Sequence, residues 1–110
     1  NLKLRAKMKL IKACEAAAVK PGEMLAIELD ELPPVAVYNV DGEFYATSNI
    51  CTHAIAILTD GYLDGETVEC PLHGGCFNVK TGEATHFPCV DALQTFEVEV
   101  REEAVFIKAP

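Results

Sequence analysis

The chain has 110 residues, of which 50% are hydrophobic and 24% charged, and its formal net charge is −8 at pH 7. This size predicts one globular domain, and no apolar run approaches the roughly 20 residues of a membrane span. No Lys or Arg lies between Pro21 and Val79, where ten Asp and Glu residues are found. This charge argues against nucleic acid as a partner, because phosphate binding requires a basic surface.

The first twelve residues are basic, but charged side chains interrupt every apolar stretch that follows them. No secretory signal peptide is therefore predicted. Met8 is a candidate natural start, with residues 1–7 as an extension, and a short helical turn is expected in residues 13–19. Five cysteines without a secretory signal favour metal binding over a disulfide framework, which predicts a cytoplasmic protein.

Strand patterns dominate the middle of the chain. Residues 24–29 predict a strand that ends at the turn-rich segment 30–34. Residues 35–40 and 43–47 predict a hairpin, because Asp41-Gly42 between them suits a type I′ turn.

The C-terminal half also indicates short strands joined by turns. Turns are predicted at Asp64-Gly65 and at Thr81-Gly82, the second within a hairpin that follows Phe77-Asn78-Val79. Residues 95–100 alternate apolar and acidic side chains, as a strand buried on one face should, and residues 104–107 are expected to pair back onto it. The chain is therefore predicted to be all-β, a sandwich or a small barrel.

Two short motifs each combine one cysteine with one histidine, and sixteen residues separate them: Cys51-Thr52-His53 and Cys70-Pro71-Leu72-His73. Such a set can hold one zinc ion, or a two-iron cluster in which two histidines replace two thiolates on one iron. A ββα zinc finger would need closer ligand pairs and a helix carrying both histidines, so the spacing favours the cluster. The glycines that follow His73 would let backbone N–H groups approach cluster sulfurs, and neighbouring apolar residues would exclude water (Ala54, Ile55, Ala56, Ile57 and Leu72).

These motifs, with the flanking residues 60–65 and 77–82, resemble the Rieske [2Fe–2S] signature of small ferredoxins from bacterial aromatic-ring-hydroxylating dioxygenase systems. The resemblance extends from about Lys12 onward. It implies a single Rieske domain over residues 1–110, with an antiparallel β-sandwich base (about 1–46 and 89–110) and a smaller cluster-binding subdomain (about 47–88). It also implies one [2Fe–2S] cluster, whose inner iron is bound by Cys51 and Cys70 and whose outer, exposed iron is bound by His53 and His73.

The resemblance implies an electron carrier and not an enzyme. A monomer would take single electrons from an NAD(P)H-dependent ferredoxin reductase and pass them to a terminal oxygenase, in transient complexes that the acidic stretch would steer. High-potential relatives carry an extra disulfide and two hydrogen-bond donors at positions that are Ala56, Leu72, Gly75 and Phe77 in this chain. Their absence predicts a potential near the low end of the Rieske range, about −150 mV. No sequence pattern identifies the aromatic substrate of the oxygenase or the type of reductase.

Two alternative interpretations remain open: a small Rieske subunit of a nitrite-reductase-like enzyme, and a zinc-stapled binding module. A complete Rieske oxygenase is not expected, because its mononuclear iron needs two further histidines and only His86 is left. The remaining cysteines are predicted to be reduced, partly buried thiols (Cys14, Cys76 and Cys89). Pro88 is predicted to shield the cluster, and His86 to have no ligand role.

Overall fold

The computed structural model describes residues 9–109, so the candidate start at Met8 and the extension 1–7 lie outside the described residues. The described chain consists of short strands with 3₁₀ turns at Ala16–Ala18 and Leu58–Asp60. The strands are β1 (Lys9–Glu15), β2 (Met24–Ile27), β3 (Val35–Val40), β4 (Glu43–Ser48), β5 (Tyr62–Asp64), β6 (Thr67–Glu69), β7 (Cys76–Asn78), β8 (Ala84–His86), β9 (Thr95–Phe96), β10 (Val98–Arg101) and β11 (Ala104–Ala109). Within this range no helix combines the length and the apolar character needed to cross a membrane.

The strands form three antiparallel sheets, which confirms the predicted all-β class. The first sheet has the order β1-β11-β10, the second β2-β3-β4-β9 and the third β5-β6-β7-β8. The third sheet is built entirely from Tyr62–His86, which lies inside the segment 47–88 that was expected to bind the cluster. The proposed division into a base and a cluster-binding subdomain stays a prediction.

Strand β3 connects two hydrophobic cores, and all six of its residues are buried. Successive side chains of a strand point to opposite faces, so alternate residues of β3 enter different cores. Val35 and Val37 pack in one core with Val105 and Ile107 of β11. Tyr38 lies in the other core, whose members from beyond the second sheet include Cys51, Val68, Cys70, Phe77 and Cys89. The cysteine-bearing loops are therefore anchored in a core that is continuous with the second sheet.

The β3–β4 hairpin confirms the predicted type I′ turn. Asp41 and Gly42 both have positive φ angles, 52° and 92°, as this turn requires. The buried side chain of Asn39 fixes the turn, because its Oδ1 accepts a hydrogen bond from the Gly42 N–H at 2.8 Å. The predicted turns at Gly65 and Gly82 and the β10–β11 turn at Glu102 and Glu103 also have positive φ angles.

The predicted helical turn over residues 13–19 is largely wrong. Residues 13–15 belong to strand β1, and only Ala16–Ala18 forms a 3₁₀ turn. Strand β1 pairs with β11 from Lys9↔Ala109 to Glu15↔Ala104, with a bulge between Lys12 and Cys14, and this ladder outweighs the local helix preference of residues 13–15.

The single strand predicted over residues 95–100 is divided in two. Strand β9 pairs with β4 in the second sheet, whereas β10 pairs with β11 in the first. Glu97 lies at the crossing and stays outside both strands, although its carbonyl accepts a hydrogen bond from the Lys108 N–H at 2.9 Å. The alternating pattern continues through this crossing, so it could not reveal the change of sheet. The predicted strand over residues 24–29 also ends earlier, at Ile27.

Candidate metal centre

Two loops of similar construction carry the Cys-His motifs. The first Cys-His loop (residues 51–56) follows β4, and the second (residues 70–75) joins β6 to β7. The Cys51 N–H donates to the Ala56 carbonyl at 3.0 Å, and the Cys70 N–H donates to the Gly75 carbonyl at 2.7 Å. Each cysteine therefore closes its own loop through the carbonyl five residues later. The two motifs therefore share the same backbone hydrogen bond, from the cysteine N–H to the carbonyl five positions later.

The two loops place the four predicted ligands in two pairs of like chemistry. The Cys51 and Cys70 side chains are 4% and 0% exposed and share one core, and each thiol affects the pKa of the other. The two histidines are exposed, with His53 Nε2 3.4 Å from His73 Nδ1 and ring centroids 5.5 Å apart. The sulfur pair faces the protein interior and the imidazole pair faces solvent.

Backbone N–H groups are directed at both buried sulfurs. Burial raises the pKa of the Cys51 thiol, but hydrogen bonds from the His53 and Ala54 N–H groups and from the neighbouring thiols outweigh it, so its pKa lies below the ordinary value. The pKa of the Cys70 thiol is raised, mainly by burial and further by Cys51, although the Leu72 N–H favours its thiolate. The loops thus supply hydrogen bonds for bound thiolates in a buried place.

The second loop turns through two successive left-handed residues, His73 at φ 68° and Gly74 at φ 72°. The next residue, Gly75, is buried against Cys89. A Cβ atom at Gly75 would overlap the Cys89 sulfur and lie 3.0 Å from the Cys89 backbone nitrogen. Gly75 therefore allows the second loop to contact the segment that precedes β9.

That segment, the third loop (residues 87–93), also packs on the first Cys-His loop. The Thr52 hydroxyl donates to the Asp91 carbonyl at 2.7 Å, and Cys89 Sγ lies 3.7 Å from Cys51 Sγ. Burial raises the pKa of Cys89 to about 12, and the neighbouring Cys51 adds to the effect. Sequence reasoning missed the contact to Cys51, and the adjacent Pro88 was the nearest signal of it.

The other predicted residues of this region have separate positions. Pro88 is half-buried in the third loop, and its shielding role stays a prediction. His86 is the last residue of β8 and is exposed, and its ring nitrogen Nδ1 lies 3.4 Å from the Thr85 hydroxyl. Cys76 is buried and Cys14 half-buried, and burial raises the pKa of both thiols. None of the five cysteines forms a disulfide, and the three outside the Cys-His motifs are at least partly buried thiols, as expected.

The expectation that the apolar loop residues exclude water is correct only in part. Ala56 is buried, but Ile55 is 100% exposed and Leu72 is 42% exposed. Both belong to a shallow groove between the two Cys-His loops, bordered by Asp60. Ile55 is the central residue of a tight turn, in which the Ala56 N–H donates to the Ala54 carbonyl at 2.9 Å. We refer to His53, His73, Ile55 and Leu72 together as the histidine tip.

This donor set fits a two-iron cluster. Within residues 9–109 no three or more His, Cys, Asp or Glu side chains surround one point as a single metal ion would require. The donors form a thiol pair and an imidazole pair instead, which matches a [2Fe–2S] cluster with a sulfur-ligated and a nitrogen-ligated iron. The N–H groups at the sulfurs suit bound thiolates.

Comparison with known proteins agrees with this description. Residues 9–97 match the family described as Rieske [2Fe-2S] domain. The 3-phenylpropionate/cinnamic acid dioxygenase ferredoxin subunit of Escherichia coli (strain K12) is 45% identical over 94% of this chain and 96% of its own length. The solved Sphingomonas yanoikuyae B1 ferredoxin has a TM-score of 0.90 and 46% identity, covering 93% of this chain and 100% of its own. A second solved structure is a complex of reduced oxygenase and oxidized ferredoxin in carbazole 1,9a-dioxygenase. Its ferredoxin has a TM-score of 0.86 and 45% identity, covering 90% of this chain and 92% of its own.

The fold and the paired donors define an iron–sulfur domain, and the chain belongs to the Rieske [2Fe–2S] family. The predicted family, fold class and cofactor are thereby confirmed. Within the family its similarity is to ferredoxins of dioxygenase systems, so it is an electron carrier, as expected.

Proposed function

We propose that Cys51 and Cys70 bind the buried iron of the cluster and that His53 and His73 bind the exposed iron. The proposal is supported by the like-with-like pairing, in which two buried thiols meet backbone N–H groups and two imidazoles lie 3.4 Å apart at the surface. It is also supported by the matching closure of the two loops, which presents each cysteine in the same backbone frame.

We further propose that the chain carries electrons from an NAD(P)H-dependent ferredoxin reductase to a terminal aromatic-ring oxygenase. The cluster supplies one-electron redox chemistry, and the residues around it provide burial, hydrogen bonds and access. The observation that carries the proposal is the exposure of the imidazole pair, because it gives a partner a short path to the outer iron. The relative solved with its oxygenase supports the identity of the acceptor. We place the protein in the cytoplasm as a monomer, where the three cysteines outside the proposed ligand set stay reduced.

The histidine tip is the proposed docking surface for both partners. Ile55 and Leu72 offer exposed apolar area beside the histidines. Asp60 borders the same groove, and the Glu69 carboxylate lies near Gly74 of the second Cys-His loop. A small apolar contact with charges around it suits weak and fast association. The acidic border favours partners with a basic face.

The low predicted potential has structural support. Phe77, at a position where high-potential relatives carry a donor, is fully buried and has no hydroxyl group. Gly75 has no side chain, and Ala56 and Leu72 cannot form a disulfide. Fewer donors near the cluster leave the reduced, more negative state less stabilised, which lowers the potential.

Reconstitution tests the proposed function most directly. The purified holoprotein is combined with NADH, a ferredoxin reductase and candidate aromatic-ring oxygenases, and product formation is measured with and without the ferredoxin. Turnover that depends on the ferredoxin supports the proposal. Failure with every oxygenase, together with electron delivery to a nitrite-reducing enzyme, would support the nitrite-reductase-like alternative. A colourless protein that contains zinc and no sulfide would instead indicate the zinc-stapled module.

The ligand assignment predicts the effect of His53→Cys. The variant should keep a two-iron cluster, because thiolate is a competent iron ligand, but its potential should fall by about 100 mV or more. This follows from the gap between Rieske centres, at about −150 mV and above, and plant-type four-cysteine clusters at about −400 mV. His86→Cys is the matched control, since it makes the same change at an exposed histidine outside the pairs. Protein-film voltammetry measures both, and an unchanged potential in His53→Cys contradicts the assignment.

A further inference from the structure

A third cysteine lies against one of the proposed ligand sulfurs. Cys89 Sγ is 3.7 Å from Cys51 Sγ, although the two residues are 38 positions apart in the chain. The Cys89 side chain is only 3% exposed. Neither the Cys-His motifs nor the overall fold requires a thiol at this place.

The contact is held from several sides. Gly75 of the second loop packs directly on the Cys89 sulfur and backbone. The Thr52 hydroxyl binds the Asp91 carbonyl at 2.7 Å and ties the third loop to the first Cys-His loop. The Cys89 N–H donates to the His86 carbonyl at 3.1 Å. The position of the thiol is therefore fixed by the surrounding backbone.

The chemistry of the two sulfurs decides which one donates. A cysteine bound to iron is a thiolate and has no proton to give, so a hydrogen bond between the two must run from Cys89. Hydrogen bonds to cluster sulfurs stabilise the additional negative charge of the reduced state. We propose that the Cys89 thiol donates a hydrogen bond to the Cys51 sulfur and thereby raises the reduction potential of the cluster. Cys89 is thus a positioning residue, and the inference rests on the proposed ligand set.

The other two additional cysteines have different surroundings. Cys76 Sγ points to the Gly74 carbonyl at 3.6 Å, and Cys14 lies in β1 of the first sheet, which carries neither Cys-His loop. Of these three cysteines, it is Cys89 whose sulfur contacts the Cys51 sulfur. Cys89 therefore supplies a side-chain donor in a site where the side chains at positions 75 and 77 supply none.

Voltammetry of three variants tests the inference. Cys89→Ala removes the donor, and we expect the one-electron equilibrium to shift about threefold against reduction, which is a fall of about 30 mV at 59 mV per decade. Cys89→Ser keeps a donor of similar size, so its potential should lie above that of Cys89→Ala. Cys14→Ala removes a thiol from the first sheet and should leave the potential unchanged. Visible and EPR spectra of each variant establish that the Rieske cluster is present.

An unchanged potential in Cys89→Ala, or a fall that Cys89→Ser does not partly reverse, overturns the inference. If Cys89→Ala fails to hold a cluster, the native holoprotein provides the test. Resonance Raman spectra in H2O and D2O should then show a shift of the Fe–S(Cys) stretching bands that is smaller in Cys89→Val, whose side chain has a similar volume but no exchangeable proton. No difference between the native protein and Cys89→Val contradicts the inference. A native protein without a Rieske spectrum would overturn the ligand proposal and not this contact alone.

Discussion

Gly75 shows how one missing side chain permits a contact between two loops. Its hydrogen atom faces the Cys89 sulfur, and a methyl group in the same place would overlap that sulfur. The carbonyl of Gly75 also accepts the hydrogen bond that closes the second Cys-His loop. The residue therefore determines both the shape of this loop and its distance from the third loop.

We expect Gly75→Ala to lower the free energy of unfolding by about 1–3 kcal/mol, because the added methyl group overpacks a buried site. It should also reduce the iron content of the purified protein. Denaturant titration and iron analysis measure the two effects. Gly65→Ala is the control, since Gly65 has φ 60° and open space around its Cβ position. The control should cost about 1 kcal/mol through backbone strain alone and keep its iron; equal iron loss in both variants would contradict the packing argument.

Ile55 is fully exposed at the histidine tip, so its side chain adds little to the stability of the free protein. We expect Ile55→Ser to change the free energy of unfolding by less than about 0.5 kcal/mol. Electron transfer to the oxygenase should slow several-fold, because the proposed apolar contact with the partner would be lost. Stopped-flow kinetics with reduced ferredoxin measures this rate.

Val100→Ser is the matched control for the Ile55 prediction. Val100 is 49% exposed and lies on β10, in the sheet that carries neither Cys-His loop. Its replacement should leave the transfer rate unchanged. Equal rates for the two variants would show that docking occurs elsewhere on the surface.

At the scale of elements, two buried asparagine side chains each link two segments of the chain by a pair of hydrogen bonds, at opposite ends of the second sheet. Asn49, just after β4, donates from Nδ2 to the Thr59 hydroxyl at 2.9 Å and accepts from the Thr59 N–H at 3.0 Å. Asn39 donates from Nδ2 to the Val19 carbonyl at 2.8 Å and accepts from the Gly42 N–H at 2.8 Å. Only Asn49 braces the connection that leads into Cys51.

We expect Asn49→Ala and Asn39→Ala each to lower the free energy of unfolding by about 1–3 kcal/mol, because both leave buried polar groups unpaired. Their effects on the cluster should differ. Asn49→Ala should accelerate loss of the visible absorbance in the presence of a chelator, whereas Asn39→Ala should lose it at the native rate. A similar loss rate in both variants would mean that general stability, and not the brace at Asn49, controls cluster retention.

The strands that local patterns could predict are those whose turns demand particular residues. Asp41-Gly42 indicated the β3–β4 hairpin because both positions need positive φ angles. Strand β1 was missed because its partner is β11, near the other end of the chain, and several of its residues are exposed. The division of residues 95–100 was missed for the same reason, since it depends on two partner strands that are distant in sequence.

A similar distinction applies to the candidate site. The Cys-His motifs are local, so they could carry the family resemblance, and it was this resemblance that implied the pairing of Cys51 with Cys70 and of His53 with His73. The contacts from Thr52 to Asp91 and from Cys51 to Cys89 join positions 38 or 39 residues apart. Such contacts become visible only when the fold brings the third loop onto the first.

For the whole molecule, the charge distribution is the property most relevant to its partners. The net charge is −8, and the segment between Pro21 and Val79, which contains both Cys-His loops, has no Lys or Arg. An electrostatic field of one sign increases the rate at which an oppositely charged partner arrives, and salt screens it. The acidic residues near the histidine tip should contribute most to this effect.

We expect Glu69→Lys to slow electron transfer to the oxygenase about threefold or more at low ionic strength. Glu69 precedes Cys70 and lies beside the second Cys-His loop. Glu102→Lys makes the same change of net charge in the β10–β11 turn and should have a smaller effect. The two rates should converge in about 1 M salt, where the Debye length falls to about 3 Å. Equal transfer rates for Glu69→Lys and Glu102→Lys at low ionic strength would show that the acidic residues near the histidine tip do not steer the partner.

The pairing of β4 with β9 brings the two ends of one long segment together. Ala46↔Phe96 and Thr47↔Thr95 are neighbours across one ladder, and the Ser48 N–H donates to the Gln94 carbonyl at 2.9 Å. The whole segment 49–94, with all three loops and the third sheet, thus leaves and re-enters the scaffold at adjacent points. Such a segment can be exchanged as a cassette with little cost in chain closure. The exchanged segment would also have to match the buried face of β3, because the two share one hydrophobic core.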